Sequence, residues 1–260
     1  MKTHEVVFIH GMFMTPLCWE NWVEHLQSKG YRCHVPAWPG RDAPISQQRR
    51  NHPDAALGRM GLSDVVSCME SAIQAFDDKP VLIGHSMGGL VVQLLLQKDL
   101  ALAGVAIDPA PPQGVFSTAW SFIRANYPAI DPLKPASQPV RMSFEHFQYA
   151  FVNTLPRTEQ LAAYDRYVVP ESRRVPRQSL TSVAHIDFSR PHAPLLITAG
   201  QKDHIIPASL NKANYRRYKD RASITAFKQF PGRDHFIIGD PGWQEVADFV
   251  LAWLEENVTA

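Results

Sequence analysis

Short apolar runs rich in β-branched residues alternate along the chain with stretches whose apolar residues recur at helical spacing. Six of these runs have the length and composition of buried strands: residues 5–11, 31–38, 80–85, 102–111, 193–203 and 223–235. Strands that are apolar on both faces and alternate with helices are typical of a parallel sheet covered on both sides. The pattern therefore predicts an α/β fold with a mostly parallel sheet of about six strands flanked by helices.

Helical periodicity is clearest in five stretches: residues 19–30, 61–76, 89–98, 143–156 and 243–258. Gly30 is expected to mark the end of the first, because glycine commonly follows the last turn of a helix. Ser63 is the expected N-cap of the second, since a serine hydroxyl can accept a hydrogen bond from a free backbone N–H. The last stretch is amphipathic and is expected to close the fold.

One long segment, residues 112–190, departs from this alternation. It is rich in proline and aromatic residues, and no part of it has the quality of the six strands. A helical insertion between two parallel strands lies over the carboxyl ends of the strands, where α/β proteins bind ligands. We predict a core domain of residues 1–111 and 191–260 and a helical cap of residues 112–190. A purely structural helical excursion is the alternative.

Ser86 lies between a predicted strand and a predicted helix, within the sequence Gly84-His85-Ser86-Met87-Gly88. The pattern G-x-S-x-G is weak alone, but directly after a strand and before a helix it is typical of a nucleophile elbow. A sharp turn exposes the serine hydroxyl, and the flanking glycines let the neighbouring chain approach closely. We interpret Ser86 as a nucleophile; a serine that only packs tightly is the alternative.

A serine hydroxyl needs a base, and that base needs an acid to orient it. In this arrangement the acid and then the histidine follow the serine along the chain. Asp203 ends one predicted strand and His235 follows the next, so both are expected at the same edge of the sheet. His204 is a poor base for its direct neighbour. Asp108 remains an alternative acid, and Asp234 is interpreted as a turn residue.

The third requirement is a pair of backbone N–H donors for the negative charge that develops on the substrate oxygen. Met87 would supply one donor from the start of the helix, and Met12 the other from the loop after the first strand. Phe13 is the alternate to Met12. Gly11 permits a close turn in this loop, and His10 is expected to hold the loop through hydrogen bonds.

Apolar side chains near these groups are expected to line a substrate pocket. The candidates are Phe13 and Met14 in the loop after the first strand, and Trp120 and Phe147 in the predicted cap. A mostly apolar pocket suits a small or medium acyl or aryl ester.

Composition and charge narrow the range of partners. The 260 residues carry a formal net charge of +1, which gives no electrostatic reason to expect nucleic acid or a membrane surface as partner. Cys18, Cys33 and Cys68 form no C-x-x-C pair and are expected to be reduced thiols. No metal-ligand spacing and no G-x-G-x-x-G loop is visible, so no metal or cofactor is expected. Without a visible signal segment or membrane-length apolar run, we expect a soluble, cytoplasmic protein.

Four segments together resemble the α/β-hydrolase superfamily: IHGMFM, GHSMGG, AGQKDHIIP and GRDHF occur in the order and at the spacing of that family. The resemblance implies an α/β-hydrolase fold of the serine esterase type, with a cap between the strands near Asp108 and Leu195. Within that superfamily the chain resembles the compact branch of plant methylesterases and hydroxynitrile lyases. The segment GHSMGG is also similar to perhydrolase relatives. Gly11 stands where the lyases carry a threonine, which favours ester hydrolysis.

These observations predict a serine hydrolase that cleaves carboxylic esters of small to medium apolar acyl or aryl substrates through an acyl-enzyme intermediate. The expected partner is a small-molecule ester, and the oligomeric state is left open. Alternatives on the same triad are a lactonase or perhydrolase and a C–C bond hydrolase or lyase. A small-molecule receptor without turnover is a further alternative, because the fold alone does not fix the function.

Overall fold

The computed structural model describes residues 5–258, and its centre is a single six-stranded sheet. The strands are β1 (Glu5–Ile9), β2 (Arg32–His34), β3 (Val81–His85), β4 (Ala103–Ile107), β5 (Leu195–Gly200) and β6 (Thr225–Phe230). Their order across the sheet is β2-β1-β3-β4-β5-β6, and every neighbouring pair is parallel. The predicted α/β fold with a parallel sheet of six strands is confirmed.

The helices of the described residues lie between and after these strands. They are α1 (Glu20–Ser28), α2 (Ile45–Arg50), α3 (Ala55–Arg59), α4 (Leu62–Ile73), α5 (Met87–Leu96), α6 (Trp120–Ile130), α7 (Phe144–Ala150), α8 (Arg157–Tyr167), α9 (Arg174–Gln178), α10 (Ala208–Tyr215) and α11 (Trp243–Asn257). None of them combines the length and apolar composition that a membrane-crossing helix needs.

The core lies around the middle of the sheet. Strands β3, β4 and β5 are buried along their whole length, and so is every residue of α5. Burial on both faces explains why these strands are continuous apolar runs in the sequence. The edge strands β2 and β6 are only partly buried.

Every strand is shorter than the sequence pattern predicts. The predicted strand 31–38 is reduced to the three residues of β2, and Pro36 lacks the backbone N–H that a longer ladder would use. The predicted strand 102–111 ends at Ile107, because Asp108 has a φ of 44° and leaves the extended conformation.

The prediction of Ser63 as the N-cap of the helix expected over residues 61–76 is wrong. Helix α4 begins at Leu62 with Gly61 as its N-cap, and the carboxylate of Asp64 accepts a hydrogen bond from the Gly61 N–H at 2.8 Å. Ser63 lies inside the first turn, where its N–H donates to the side chain of Gln178. An aspartate at the third helical position therefore satisfies the helix start that was assigned to the serine.

Between β4 and β5 the chain forms α6, α7, α8 and α9, and we call residues 112–190 the insertion. The predicted helix 143–156 is shorter than expected and forms only α7, because the chain turns after Ala150, where the N–H groups of Phe151 and Val152 both donate to the carbonyl of Phe147. Inside the insertion, Val140 and Glu171 form an isolated antiparallel bridge. The division of the chain into a core domain and a cap domain stays a prediction.

The parallel sheet brings four polar residues to one edge. Ser86, Asp108, Asp203 and His235 follow the carboxyl ends of β3, β4, β5 and β6 in turn. Because these four strands are adjacent and parallel, their carboxyl ends meet at the same edge of the sheet.

Candidate active site

The turn between β3 and α5 holds Ser86 in a conformation that few non-glycine residues adopt. Its φ is 58° and its ψ is −120°, and its N–H donates to the carbonyl of Ile107 at 2.9 Å. Such a conformation costs on the order of 1–3 kcal/mol and persists only where the surroundings enforce it. This is the sharp strand-to-helix turn that the sequence pattern predicts.

Two glycines allow the surrounding chain to approach this turn. A Cβ at Gly88 would lie 2.1 Å from the carbonyl oxygen of Ile9, which is far inside van der Waals contact. A Cβ at Gly11 would lie 2.9 Å from the Cβ of Ser86. The loop after β1 therefore packs directly against the serine, and any side chain at these two positions would push it away.

Asp203 and His235 form a buried hydrogen-bonded pair. The Nδ1 of His235 lies 2.6 Å from Oδ2 of Asp203, and both side chains are inaccessible to solvent. The other carboxylate oxygen, Oδ1, accepts hydrogen bonds from the N–H groups of Ile205 and Ile206 at 2.7 and 2.8 Å. The acid is thus fixed by its own loop, and it holds the imidazole with Nδ1 carrying the proton.

The remaining ring nitrogen of His235 is available for proton transfer. Its Nε2 is buried and has no hydrogen-bond partner among residues 5–258, so it is not bonded to the hydroxyl of Ser86 in this structure. Bonds between a nucleophile and its base are often long before substrate binds and tighten in the substrate complex. The structure therefore forms the predicted Asp203–His235 pair and leaves Nε2 as the free basic nitrogen.

Two aromatic neighbours, which the sequence did not single out, position His235. The Nε2–H of His85 donates to the carbonyl of His235 at 2.8 Å, and the two rings lie 4.7 Å apart. Burial lowers the pKa of His85 well below its ordinary value, so its ring is neutral. On the insertion side, the ring of Phe151 meets the His235 ring edge-on at 5.0 Å.

Asp108, the alternative acid, is bonded elsewhere. Its Oδ1 accepts a hydrogen bond from the N–H of Gly200 at 2.9 Å, and no bond joins it to His235. Burial, followed by the nearby Asp203 carboxylate, raises the pKa of Asp108 well above its usual range. Of the two carboxylates only Asp203 is hydrogen-bonded to the imidazole, so the geometry favours Asp203 as the acid.

Asp234 connects the loop of His235 to the insertion. Its Oδ2 accepts hydrogen bonds from the N–H and the hydroxyl of Thr154 at 2.9 and 2.7 Å, and its Oδ1 accepts one from the N–H of Phe236. These bonds agree with its interpretation as a turn residue.

Within residues 5–258, Asp108, Asp203 and His235 form a group whose potential metal-ligand atoms lie within 4.8 Å of one another. Both oxygens of Asp203 and the Nδ1 of His235 already take part in hydrogen bonds. These three atoms are therefore engaged within the protein. The expected absence of a metal stays a prediction.

The loop after β1 and the start of α5 contribute the candidate oxyanion donors. Neither Met12 nor Met87 donates its N–H to another residue of the described chain, and both line the cavity beside Ser86. The N–H of Phe13, the alternate donor, is already used, because it donates to Oε2 of Glu171 at 3.1 Å. This contact leaves Met12 and Met87 as the candidate pair of oxyanion donors.

His10 supports this loop from inside the protein. Its Nδ1 lies 2.9 Å from the carbonyl of Gly11, its Nε2 accepts from the N–H of Trp38 at 3.4 Å, and its ring stacks on that of Trp38. Burial lowers the pKa of His10 from 6.5 to about 3. The ring is therefore neutral, and its contacts agree with the predicted structural role.

A cavity of about 370 Å³ opens beside Ser86. Its walls come from the core and from the insertion, and they include Met12, Phe13, Met87, Phe122, Ala125, Ala129, Met142, Phe151, Ile205 and Ile206. Polar groups are few, and Asn126, Arg141, Ser143 and His146 supply most of them. A mostly apolar wall with a few polar groups is typical of a small-molecule site.

Of the four predicted pocket residues, only Phe13 lines this cavity. Met14 is fully buried in the core, and Phe147 is fully buried and stacks on Phe151 at 5.1 Å. Trp120 is 72% exposed on the outer face of α6, because that helix turns Phe122 towards the cavity instead. The predictions for Met14, Trp120 and Phe147 are therefore wrong as to position.

Several solved structures are similar to this chain over most of its length. A monoacylglycerol lipase from Paleococcus ferrophilus has 20% identity and a TM-score of 0.70, covering 97% of this chain and 94% of that chain. An extracellular alpha/beta-hydrolase from a Paenibacillus species has 21% identity and a TM-score of 0.71, covering 96% and 98%. A methylesterase from Arabidopsis has 14% identity and a TM-score of 0.66, covering 97% and 99%.

At these identities the likeness shows a common fold. No curated protein sequence matches the chain. The model of the alpha/beta hydrolase family, in contrast, matches residues 6–249, which include the turn at Ser86 and the loops of Asp203 and His235. Because this match covers most of the chain, the protein belongs to the alpha/beta hydrolase family.

Proposed function

We propose that the protein is a serine hydrolase that cleaves carboxylic esters with small to medium apolar acyl or aryl groups. The observation that supports this most strongly is the position of Ser86. It stands in a strained turn at the start of α5, lines an apolar cavity, and shares its sheet edge with the hydrogen-bonded pair Asp203–His235. A nucleophile, a base and an orienting acid are the three parts that acyl transfer requires.

The proposed reaction begins when the Oγ of Ser86 attacks the ester carbonyl while the Nε2 of His235 accepts the hydroxyl proton. Asp203 keeps the other ring nitrogen protonated and stabilises the positive charge on the imidazole. The tetrahedral intermediate collapses, the C–O bond to the alcohol breaks, and the alcohol leaves with the proton from His235. Water then attacks the acyl-serine with the same base, and the acid is released.

The negative oxygen of each intermediate would be held by the backbone N–H groups of Met12 and Met87. Both groups are free of internal hydrogen bonds to described residues, and both belong to walls of the cavity that Ser86 lines. Removal of one such donor typically slows catalysis about 10²–10³-fold. The close packing of Gly11 on Ser86 supports this role, because it sets the loop beside the attacked carbon.

The cavity supports an apolar substrate. Its volume of about 370 Å³ lies in the range of small-molecule sites, and Met12, Phe13, Met87 and Phe151 are among the apolar side chains that line it together with Ser86. Similar structures include proteins named as a monoacylglycerol lipase and a methylesterase, whose names both refer to esters. These two names support ester hydrolysis as the first candidate. A tomato methylketone synthase I, whose name refers to a ketone, is also among the similar structures, so C–C bond cleavage stays an alternative that the experiment must separate.

The proposal is tested by turnover of p-nitrophenyl acetate, butyrate and octanoate. We expect multiple turnover by the wild type and a loss of about 10⁴-fold or more in kcat for Ser86→Ala. Ser179→Ala is the matched control, because Ser179 lines the same cavity and bonds only to the carbonyl of Pro176; it should retain wild-type activity.

An equal rate for wild type and Ser86→Ala would contradict the proposal. A receptor would instead show no turnover together with thermal stabilisation by the ligand. Product release from a substrate without an ester, but not from these esters, would indicate the C–C bond chemistry.

A further inference from the structure

Glu171 of the insertion is fully buried, and its carboxylate lies between two loops of the core. Its Oε2 accepts a hydrogen bond from the N–H of Phe13 at 3.1 Å. Its Oε1 lies 2.7 Å from the Nη2 of Arg41, and both of these side chains are shielded from solvent. A buried carboxylate that reaches the loop after β1 is therefore paired with a buried guanidinium from the loop after β2.

Phe13, the residue that Glu171 contacts, has an unfavourable backbone conformation. Its φ is 62°, a left-handed value that is unfavourable for a non-glycine residue. The insertion satisfies both of its backbone polar groups, because the carbonyl of Phe13 accepts a hydrogen bond from the N–H of Val169 at 2.9 Å. The conformation of Phe13 is thus held by two residues of the insertion, Val169 and Glu171.

The position of Glu171 is itself well determined. Its backbone N–H and carbonyl pair with those of Val140 at 2.8 and 2.7 Å, and its Oε1 also accepts from the N–H of Ser172. On the other side, the Nη1 of Arg41 donates to the side chain of Gln48 at 3.0 Å. The carboxylate therefore cannot turn away from Phe13 without breaking several other contacts.

From this geometry we infer that Glu171 is a positioning residue for the oxyanion hole. Its carboxylate occupies the N–H of Phe13 and holds the loop so that the N–H of Met12 stays free beside Ser86. The inference rests on the proposed function, since the hole has a role only if Ser86 attacks a carbonyl. Its consequence is that the second oxyanion donor is correctly placed only when the insertion is docked.

The charge of Glu171 matters as well as its shape. A buried guanidinium needs a counter-charge, and removing one partner of a buried ion pair typically costs several kcal/mol. Glu171→Gln keeps the volume and an acceptor oxygen for Phe13 but leaves Arg41 uncompensated, whereas Glu171→Ala removes both. The two variants therefore separate the hydrogen bond to Phe13 from the ion pair.

The matched control is Glu20→Gln. Glu20 also joins the core to the insertion, because its carboxylate accepts hydrogen bonds from the Nε of Arg166 in α8 at 2.8 Å and from the hydroxyl of Tyr167 at 2.9 Å, but this side chain has no hydrogen bond to residues 10–14. The Glu20→Gln variant weakens the Glu20–Arg166 pair and so measures how much a general loosening of the insertion lowers kcat.

The experiment measures kcat and KM for p-nitrophenyl butyrate, with each variant normalised to its folded fraction by circular dichroism. We expect Glu171→Ala to lower kcat about 10²-fold with KM changed less than threefold, as for loss of a transition-state contact. Glu171→Gln should lower kcat about tenfold or less, and Glu20→Gln less than twofold. If Glu171→Ala does not fold, Glu171→Gln decides through its inhibition constant for a trifluoromethyl ketone, which should rise at least threefold.

Two results would overturn the inference: values of kcat and of the inhibition constant within twofold of wild type in every folded Glu171 variant, or an equal loss in Glu20→Gln. A wild type without esterase activity would instead contradict the proposed function. The role of Glu171 then remains measurable by amide hydrogen exchange of Phe13, which should become faster in Glu171→Gln or Glu171→Ala.

Discussion

The two sides of the candidate site are held by different kinds of interaction. On the sheet side, hydrogen bonds to the backbone of the strand ends and turns fix the groups, as where Ser86 donates to Ile107 and Asp203 accepts from the two residues that follow His204. On the insertion side, single side chains cross long stretches of sequence, as where Glu171 reaches Phe13. The proposed reacting groups thus follow the ends of the strands, and residues of the insertion contact the loop and the imidazole beside them.

This difference predicts separate consequences for the two sides. Changes on the sheet side should remove the reaction itself, because they alter the nucleophile, base or acid. Changes on the insertion side should alter rate or substrate size while the triad stays intact. Substitutions placed on each side therefore test whether the two sides differ in this way.

The largest effect is expected for Asp203→Asn on the sheet side. The amide can no longer hold the imidazole of His235 in the correct tautomer, and we expect kcat to fall about 10⁴-fold. The fall is measured with p-nitrophenyl butyrate at neutral pH. Activity within tenfold of wild type would show that Asp203 is not the orienting acid.

Asp108→Asn is the matched control for that substitution. The asparagine keeps the acceptor for Gly200 and resembles the protonated acid, so kcat should fall less than tenfold. Because the pKa of Asp108 is raised, the folded chain keeps a proton that the unfolded chain loses as the pH rises above the usual aspartate range. The free energy of unfolding of the wild type therefore falls as the pH rises above the usual aspartate range, and that of Asp108→Asn should fall less. A fall in kcat as large as for Asp203→Asn would contradict the assignment of Asp203, rather than Asp108, as the orienting acid.

A smaller effect is expected for Ala125→Leu in α6, on the insertion side. Ala125 lines the cavity, so the larger side chain should take the space of several substrate carbons. We expect kcat/KM for p-nitrophenyl octanoate to fall about tenfold or more, while the acetate ester changes less than threefold. Trp120→Ala on the exposed face of the same helix should change neither. Equal losses for both esters would mean that the insertion does not select substrate size.

The smallest effect concerns the pH dependence of stability. The pKa of His10 is about 3 in the folded chain because the ring is buried, and about 6.5 in the unfolded chain. Between these values the unfolded chain binds a proton that the folded chain does not, so stability falls as the pH falls from 6.5 towards 3. His10→Asn should flatten this slope by about 1 kcal/mol per pH unit, as measured by urea unfolding between pH 6 and 4. His85 is also buried, so part of this dependence of stability on pH should remain in the variant. A dependence equal to that of the wild type would contradict a buried, neutral His10.

Sequence reasoning predicted the sheet side of the site because strand ends organise it. Ser86, Asp203 and His235 each follow a recognisable apolar run, and adjacent parallel strands must bring those ends together. Gly11 and Gly88 likewise indicated, from the local sequence alone, that the chain approaches Ser86 closely. The strand bounds were less accurate, since apolar residues continue past the point where pairing ends, as after Ile107.

The insertion side could not be predicted in the same way. Glu171 is separated from Phe13 by 158 positions and lies in a segment without periodicity, so no local pattern connects them. The prediction of Trp120 as a pocket residue was wrong, because the face that a helix turns to a cavity depends on its docking angle, and in α6 that face carries Phe122. His85 gave one usable signal: a histidine inside a buried strand end requires a polar partner.

The most direct test of the account is the identity of the residue that reacts with a fluorophosphonate. This reagent phosphonylates an activated serine nucleophile, and peptide mass spectrometry locates the modified residue. The account predicts one modification per chain, on Ser86, and almost none in Asp203→Asn. Modification of Ser179 or Ser143 in the same cavity, or no modification of the folded wild type, would contradict it.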